Sequence, residues 1–153
     1  MRIIAFEPGH AQAWRSLNEA WISKHFAIEA KDRAVLDDPK GKILDHGGHI
    51  FMAERDGEII GCVALIAMAD GGYEVAKMTV SEVARGTGLG RLLMQACIDK
   101  AQADSAPRLY LETNSSLGPA LGLYRAMGFV DLDPAMRPPS DYARCNVWME
   151  RPV

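Results

Sequence analysis

The residues with the most evident chemistry are Gly86, Gly88 and Gly90, which occupy alternate positions directly before an amphipathic stretch. Glycine loses more conformational entropy on folding than other residues, so it is favoured where a backbone must turn tightly or approach another molecule. A glycine-rich turn that leads into a helix leaves several backbone N–H groups without partners, and the helix dipole adds partial positive charge. This combination predicts an anion site of the kind that binds phosphate.

The side chains around this turn suit the same ligand, and their spacing excludes two common phosphate-binding motifs. Thr87 can add a hydroxyl group, while Arg85 and Arg91 can add positive charge. A P-loop requires a Lys followed by Ser or Thr after the turn, and this stretch has neither. A dinucleotide fingerprint requires glycine at its sixth position, which is Arg91 when counted from Gly86.

The hydrophobic pattern predicts the elements that position this turn. Asp56-Gly57 and Gly71-Gly72 lie between apolar runs and predict two tight turns, while Gly128 is placed as a helix stop. Strands are predicted at 2–7, 49–55, 58–69, 73–80, 108–113 and 145–151, with another in FVDLD, and helices from residue 10, at 89–104 and at 119–127. The buried face of the helix at 89–104 is predicted from the stripe Leu89, Leu92, Leu93, Ala96, Cys97 and Ala101. The order contains no repeat or linker and predicts one mixed α/β domain over residues 1–153.

The composition narrows the class of protein. The 153 residues are 48% hydrophobic and 24% charged, with a formal charge of −3 and no basic cluster, which disfavours a nucleic-acid partner. No apolar run approaches the length of a membrane span, so no membrane partner is expected. Cys62, Cys97 and Cys145 each lie in an apolar run, which predicts buried, reduced thiols and a cytoplasmic location.

Two motifs together resemble one known family. The run Arg85-Gly-Thr-Gly-Leu-Gly90 is similar to the acyl-CoA-binding motif [QR]-x-x-G-x-[GA] of the GNAT N-acetyltransferase superfamily. The run Ala120–Phe129 is similar to that family's later signature, A-x-x-[LF]-Y-x-x-x-G-F, and the order of elements matches along the whole chain. The resemblance implies a sheet of six or seven strands, mixed but mostly antiparallel, splayed between its fourth and fifth strands. It also implies direct transfer of an acetyl group from acetyl-CoA to a primary amine.

The resemblance further implies roles for particular residues. The backbone of Met78, Thr79 and Val80 would pair with the pantetheine arm, and the Met78 N–H would polarise the thioester carbonyl. Tyr124 would supply a proton to the leaving thiolate; the alternatives are that its ring packs in the core or that it only positions the thioester. The pyrophosphate would lie over Arg85, Gly86, Thr87, Gly88, Leu89 and Gly90, with Arg91 nearby.

Two further residues are candidates on the same grounds. Glu74 matches the position of the general base in the family's histone acetyltransferases; the alternative is a solvated glutamate at a strand end, and Glu29 is a second choice as base. Asn114 resembles the family asparagine that contacts the cofactor arm. Ten positions separate it from Tyr124, more than is usual, so a turn-forming role is equally consistent with the sequence.

The sequence predicts the acceptor of the acetyl group less specifically than it predicts the cofactor site. The resemblance places its walls around residues 21–38 and 134–144, and the small size of the chain favours a small-molecule amine. A protein or peptide amine, a non-catalytic acyl-CoA-binding module and a homodimer stay open. His46 and His49 could suggest a metal site, but no third ligand lies near them in the sequence, so no metal is predicted.

Overall fold

A computed structural model of the protein describes all residues from 1 to 153. Seven strands are present: β1 (Arg2–Ala5), β2 (His49–Arg55), β3 (Glu58–Ala67), β4 (Tyr73–Val80), β5 (Arg108–Thr113), β6 (Val130–Asp131) and β7 (Val147–Pro152). The helices are α1 (Ala11–His25), α2 (Ala30–Asp37), the short α3 (Pro39–Lys42), α4 (Leu89–Ala103) and α5 (Gly118–Ala126). The strands form one sheet in the order β1-β2-β3-β4-β5-β7-β6, which confirms the predicted mixed α/β class.

The centre of the sheet is splayed. All neighbouring strands pair antiparallel except β4 and β5, which run parallel. These two strands pair only at their first residues, Tyr73 with Leu109 and Glu74 with Tyr110. Beyond Glu74 they separate, as the family resemblance implied, and a gap opens between the last residues of β4 and β5.

The predicted turns form for the expected reason. Asp56 and Gly57 have φ angles of 53° and 80°, the two positive values that a tight hairpin of this hand requires. Gly128 has a φ of 97° and ends the segment that includes α5. The first strand ends at Ala5 rather than at residue 7, because Glu7 caps the helical turn that begins at Pro8.

Both faces of the sheet are covered by apolar side chains. The larger cluster lies under α4 and α5, and the smaller one lies under α1 and α2. Leu92 was predicted to be buried, but its side chain is 45% exposed. The buried positions of α4 repeat every four residues from Leu89, with Met94 and Ile98 beside them, and Leu92 falls outside that stripe.

The three cysteines do not share one environment. Cys62 and Cys97 are buried, as predicted, whereas Cys145 is only half-buried, because the chain before β7 runs along an open cavity. Burial raises the pKa of each thiol, so none of them is an activated nucleophile. None of the helices combines the length and apolar character needed to cross a membrane.

Candidate active site

The gap between β4 and β5 opens into a cavity of about 610 Å³. Its walls come from α1, β4, β5, α5 and the segment before β7. Most of the predicted site residues lie on it, namely Glu74, Met78, Thr79, Val80, Arg85, Gly86, Gly90, Asn114 and Tyr124. The fold therefore brings residues separated by 50 positions to one space.

The glycine turn has an open concave surface. Gly86 and Gly88 have φ angles of 75° and 81°, a conformation that side-chain-bearing residues rarely adopt. No protein atom lies within 4 Å of the position that a Cβ would take at either glycine. Thr87 donates its hydroxyl hydrogen to the Ala84 carbonyl oxygen at 2.5 Å, which holds the turn closed on its protein side. The first N–H groups of α4 are thus left facing space that a ligand can fill.

The other residues of the turn have additional or different positions. A Cβ at Gly90 would lie 3.2 Å from Leu123 Cδ2, so this glycine also permits α4 and α5 to pack closely. The Leu89 side chain is buried in the larger core cluster, which leaves only its backbone for a ligand. Arg91 is exposed and does not line the cavity, whereas Arg85 does.

A bulge in β4 interrupts its pairing with β3. Cys62 pairs with Thr79 and Ala64 pairs with Ala76, so two residues of β4, Lys77 and Met78, lie opposite a single residue of β3. Lys77 has a φ of 55° at this point. A bulge of this kind leaves part of the strand without ladder partners, which frees backbone groups beside Met78 on the cavity wall.

Tyr124 lies on α5 with its hydroxyl at the cavity. Its ring packs against Phe129, with 6.0 Å between the ring centroids. Burial raises the pKa of Tyr124 to about 12, and no charged neighbour or hydrogen bond contributes. The hydroxyl is therefore protonated at neutral pH and can donate a proton.

Glu74 is the titratable group best suited to accept a proton. Burial, followed by the negative charge of Glu112, raises the pKa of Glu74 to about 7, against a weaker opposing effect of Lys77 and Lys31. This half-buried environment favours the base over the alternative of a solvated glutamate at a strand end. A carboxyl group that titrates near neutrality can act as a general base at physiological pH.

Glu112 is a second carboxylate on the same wall, and sequence reasoning missed it. One of its oxygens accepts a hydrogen bond from the Tyr110 hydroxyl at 2.7 Å, and the other accepts one from the Ser140 hydroxyl at 2.5 Å. Both donors are neutral, so the charge of Glu112 is not cancelled by them. The alternation of β5 after Tyr110 could have placed Glu112 on the face of Glu74.

A buried ionic cluster closes the other side of the cavity, and the sequence did not reveal it. The side chain of Asp32, on α2, is fully buried and accepts a hydrogen bond from Lys77 Nζ at 2.6 Å. The same carboxylate accepts hydrogen bonds from Arg144 Nη1 at 2.7 Å and from Arg144 Nη2 at 2.6 Å. Lys77 Nζ also contacts the Tyr142 hydroxyl at 3.1 Å. Burial would raise the pKa of Asp32, but its hydrogen bonds to Arg144 and Lys77 hold it well below the usual range.

Asn18 is another cavity residue that the sequence pattern did not identify. It lies on the apolar face of α1 and is almost fully buried. Its side chain accepts a hydrogen bond from the Thr79 hydroxyl at 2.9 Å and donates one to the Trp14 carbonyl oxygen at 2.9 Å. The sequence does place this amide four residues after Trp14 on the apolar face of the helix. A polar side chain buried there requires hydrogen-bond partners, and this could have identified Asn18. The Thr79 side chain is therefore occupied, and only its backbone is available to a ligand.

Two predicted candidates have roles in the local structure. Asn114 donates to the Arg144 carbonyl oxygen at 2.7 Å and accepts from the Ser116 N–H, so both ends of its amide hold the loop although the residue lines the cavity. Glu29 does not line the cavity and is not a free base, because it caps α2 and accepts hydrogen bonds from Ala143 and Arg144. No group of three or more His, Cys, Asp or Glu side chains is placed to hold a metal ion.

The comparison with protein families decides the assignment. The sequence model of the acetyltransferase (GNAT) family matches residues 11–129, which is more than half of the chain. The chain belongs to the GNAT acetyltransferase family. The cofactor of this family is acetyl-CoA, in agreement with the sequence prediction.

Curated GNAT relatives differ in the acceptors that their names describe. The chain is 36% identical over 104 residues to an IAA acetyltransferase of Azospirillum brasilense, with 67% of each chain covered. It is 32% identical over 127 residues to a mycothiol acetyltransferase of Streptomyces avermitilis, of which it covers 41%. The chain therefore spans less than half the length of this second relative.

Solved GNAT structures share the fold. An acetyltransferase of the GNAT family from Staphylococcus aureus Mu50 superposes with a TM-score of 0.90 at 19% identity, covering 99% of this chain and 98% of the other. The structure of yncA from Salmonella typhimurium with its cofactor acetyl-CoA superposes with a TM-score of 0.75 at 17% identity, covering 99% and 93%. At this level of identity the likeness concerns the fold alone.

Proposed function

We propose that this chain is an N-acetyltransferase that transfers an acetyl group from acetyl-CoA directly to the primary amine of a small molecule. One observation carries the proposal. A single cavity connects the glycine turn, the bulge of β4, the Tyr124 hydroxyl and the Glu74 carboxyl group. Direct transfer needs a phosphate site, a carbonyl-polarising donor, an acid and a base that all reach one space.

The residues of the cavity fit acetyl-CoA. The open concave side of Gly86 and Gly88 can accept a pyrophosphate against the first N–H groups of α4, and Arg85 adds positive charge there. The backbone of Met78, Thr79 and Val80 lines the gap from which β5 has diverged, so its polar groups can pair with the amides of a pantetheine arm. Acetyl-CoA, when bound, supplies the acetyl group as a thioester.

Three protein groups then have separate roles in the transfer. Glu74 accepts a proton from the attacking amine, directly or through water, as the new N–C bond forms and the C–S bond breaks. The backbone N–H of Met78 stabilises negative charge on the carbonyl oxygen. The Tyr124 hydroxyl gives a proton to the leaving sulfur, so that CoA leaves as a neutral thiol. The proton taken up by Glu74 balances the one given by Tyr124.

Two observations favour an enzyme over a binding module without catalytic activity. A carboxyl group with a pKa near 7 and a protonated tyrosine hydroxyl lie on the same cavity, and cofactor binding alone requires neither. The cavity also extends past these groups to Lys77 and Tyr142, which leaves room for a second substrate of small-molecule size.

The test is to incubate the protein with acetyl-CoA and a panel of primary amines. Release of free thiol and a gain of one acetyl group on the amine, measured by mass spectrometry, are the expected results. Binding of CoA without transfer to any amine would favour the binding module, whereas absence of CoA binding would exclude both functions. Acetylation of peptide amino termini with no small-molecule product would replace the proposed acceptor class.

A further inference from the structure

The acceptor half of the cavity has an unusual distribution of charge. We define the acceptor end by Glu74, Lys77, Glu112, Tyr142 and Arg144, which line the cavity away from the glycine turn. An amine substrate must reach Glu74, so it occupies this end. The inference below rests on the proposed function and concerns the class of amine.

Both cations of the acceptor end are already neutralised by the protein. The ammonium of Lys77 and the guanidinium of Arg144 each bind the buried carboxylate of Asp32, at distances of 2.6 to 2.7 Å. Arg144 also binds Glu29 at 3.2 Å. Two positive and two negative charges thus balance within this cluster, and a substrate anion would have to compete with fixed, buried carboxylates.

The carboxylates that face the substrate are not neutralised in the same way. Glu112 accepts hydrogen bonds only from the Tyr110 and Ser140 hydroxyls, which carry no charge. Glu74 forms no salt bridge, and the charges of Lys77 and Lys31 only weakly oppose the effects that raise its pKa; at the rim of this end Lys31 pairs with Asp141 at 3.5 Å. Cys145 also lines this part of the cavity, where burial raises the pKa of its thiol and keeps it uncharged, and His25 lines it as an exposed side chain. The uncancelled charge at the acceptor end is therefore negative.

We propose that the acceptor is a cationic amine that carries no carboxylate next to its amino group, and so is not an α-amino acid. An ammonium group is attracted by Glu74 and Glu112. It gives one proton to solvent before it attacks, and the resulting neutral amine gives a second proton to Glu74 as the N–C bond forms. A carboxylate on the adjacent carbon would be brought close to the same two groups without a free cation to receive it. Juxtaposed like charges are unfavourable in an interface, so such substrates are disfavoured.

Aromatic side chains indicate suitable probes. Trp21, His25 and Phe26 line the cavity together, with 4.9 Å between the ring centroids of the first two. The guanidinium of Arg144 lies over the rings of both Phe26 and Tyr142, 5.8 and 4.4 Å from their centroids. Amines that carry an aromatic ring therefore suit the cavity. Each such amine can be compared with the α-amino acid that has the same side chain.

The experiment compares kcat/KM for tyramine, tyrosine and tyrosinamide at saturating acetyl-CoA. Tyramine is expected to exceed tyrosine at least tenfold, about the effect of one unfavourable charge contact. Tyrosinamide keeps the bulk of tyrosine without its charge and is expected to resemble tyramine. The pair phenethylamine–phenylalanine extends the comparison.

Three outcomes would overturn the inference or its basis. Equal or faster acetylation of tyrosine removes the inference while leaving the N-acetyltransferase function intact. A tyrosinamide rate as low as that of tyrosine shows that bulk, and not charge, decides, and this also overturns the inference. Failure of every amine despite CoA binding removes the proposed function itself.

A variant provides an independent test of the charge balance. Glu29→Gln removes one carboxylate from Arg144 while leaving the buried Asp32 in place. The ratio of kcat/KM for tyramine to that for tyrosine is expected to fall about threefold or more. With one neighbouring carboxylate removed, the positive charge of Arg144 is less fully neutralised and can attract the carboxylate of tyrosine. Glu54→Gln, which removes a carboxylate from Arg2 on the outer strands, is the control and is expected to leave the ratio unchanged. An unchanged ratio in Glu29→Gln would show that the neutralised cluster does not exclude the carboxylate.

Discussion

Asp32 and Arg144 lie 112 positions apart in the chain, and their side chains meet in a buried pair of hydrogen bonds of 2.6 and 2.7 Å. Lys77 binds the same carboxylate from the bulge of β4. One carboxylate therefore joins α2, the central sheet and the segment before β7. These are the parts of the chain that enclose the acceptor end of the cavity.

Replacing Asp32 by Asn is expected to destabilise the protein by about 3–5 kcal/mol, because Lys77 and Arg144 would be left as buried charges without a counterion. Chemical denaturation at pH 7 measures this free energy. Asp45→Asn, at an exposed pair with Lys40, is the control and should cost at most about 1 kcal/mol. A loss in Asp32→Asn no larger than that of the control would contradict the role given to this cluster.

Acidification gives a second measurement on Asp32. Its pKa in the folded protein lies below the ordinary value of 3.8, so the stabilisation is complete above that value and is lost as the pH falls through the folded pKa. The unfolding free energy of the wild type should therefore decrease below about pH 4 more steeply than that of Asp32→Asn. Parallel pH profiles would show that Asp32 is not the group responsible.

Gly88→Glu is expected to weaken CoA binding at least about 100-fold, since the side chain would place bulk and negative charge where the phosphates bind. The same change at Gly57 is a close control. Gly57 has a φ of 80°, against 81° at Gly88, and it likewise has no protein atom within 4 Å of its Cβ position, but it lies in the β2–β3 turn. Both variants carry similar backbone strain, so calorimetric titration with CoA separates the site from the strain. Equal affinities for CoA would remove the glycine turn from the cofactor site.

The features that could be predicted from the sequence are local. The glycine turn, the hairpin at Asp56-Gly57 and the stop at Gly128 each follow from a backbone conformation that few residues adopt, and the sequence displays them directly. Glu74 and Tyr124 were predicted from the family resemblance, because Tyr124 stands within the second motif and Glu74 stands eleven residues before Arg85. The splay of the sheet came from the family resemblance, not from the pattern of residues.

The features that could not be predicted depend on distant contacts. Asp32 has the same appearance in the sequence as an exposed helix carboxylate, and only the approach of Lys77 and Arg144 makes it a buried counterion. The bulge at Lys77 inserts one residue into β4 without interrupting its apolar pattern. Leu92 was predicted to be buried because apolar character alone does not fix which neighbouring stripe of a helix faces the core.

Tyr124→Phe is expected to lower kcat by about 10²-fold or more and to leave the Kd for CoA within about twofold, because only the proton donor is removed. Tyr73→Phe is the control. Its hydroxyl binds Asp104 at 2.6 Å outside the cavity, so loss of this group should not change kcat. An unchanged kcat in Tyr124→Phe would assign the tyrosine to core packing beside Phe129.

The rate of transfer is expected to rise as the pH increases through about 7, because Glu74 accepts a proton only when it is ionised and its pKa is about 7. Glu74→Gln should lower kcat by about 10²-fold or more and remove this inflection. The measurement is kcat as a function of pH at saturating substrates. An inflection near 7 that persists in Glu74→Gln would place the base elsewhere, for example on a bound water or on the acceptor.

Glu112 provides a finer test of the same assignment. Burial is the largest cause of the raised pKa of Glu74, and the charge of Glu112 is the second. Glu112→Gln removes that charge and keeps the size of the side chain, so the inflection should move to lower pH while burial still holds it above the ordinary value of 4.5. Glu150→Gln, on β7 and paired with Arg108, is the control and should leave the inflection in place. A profile of Glu112→Gln that coincides with that of the wild type would mean that the two carboxylates do not interact, and the negative field assigned to the acceptor end would lose one of its two sources.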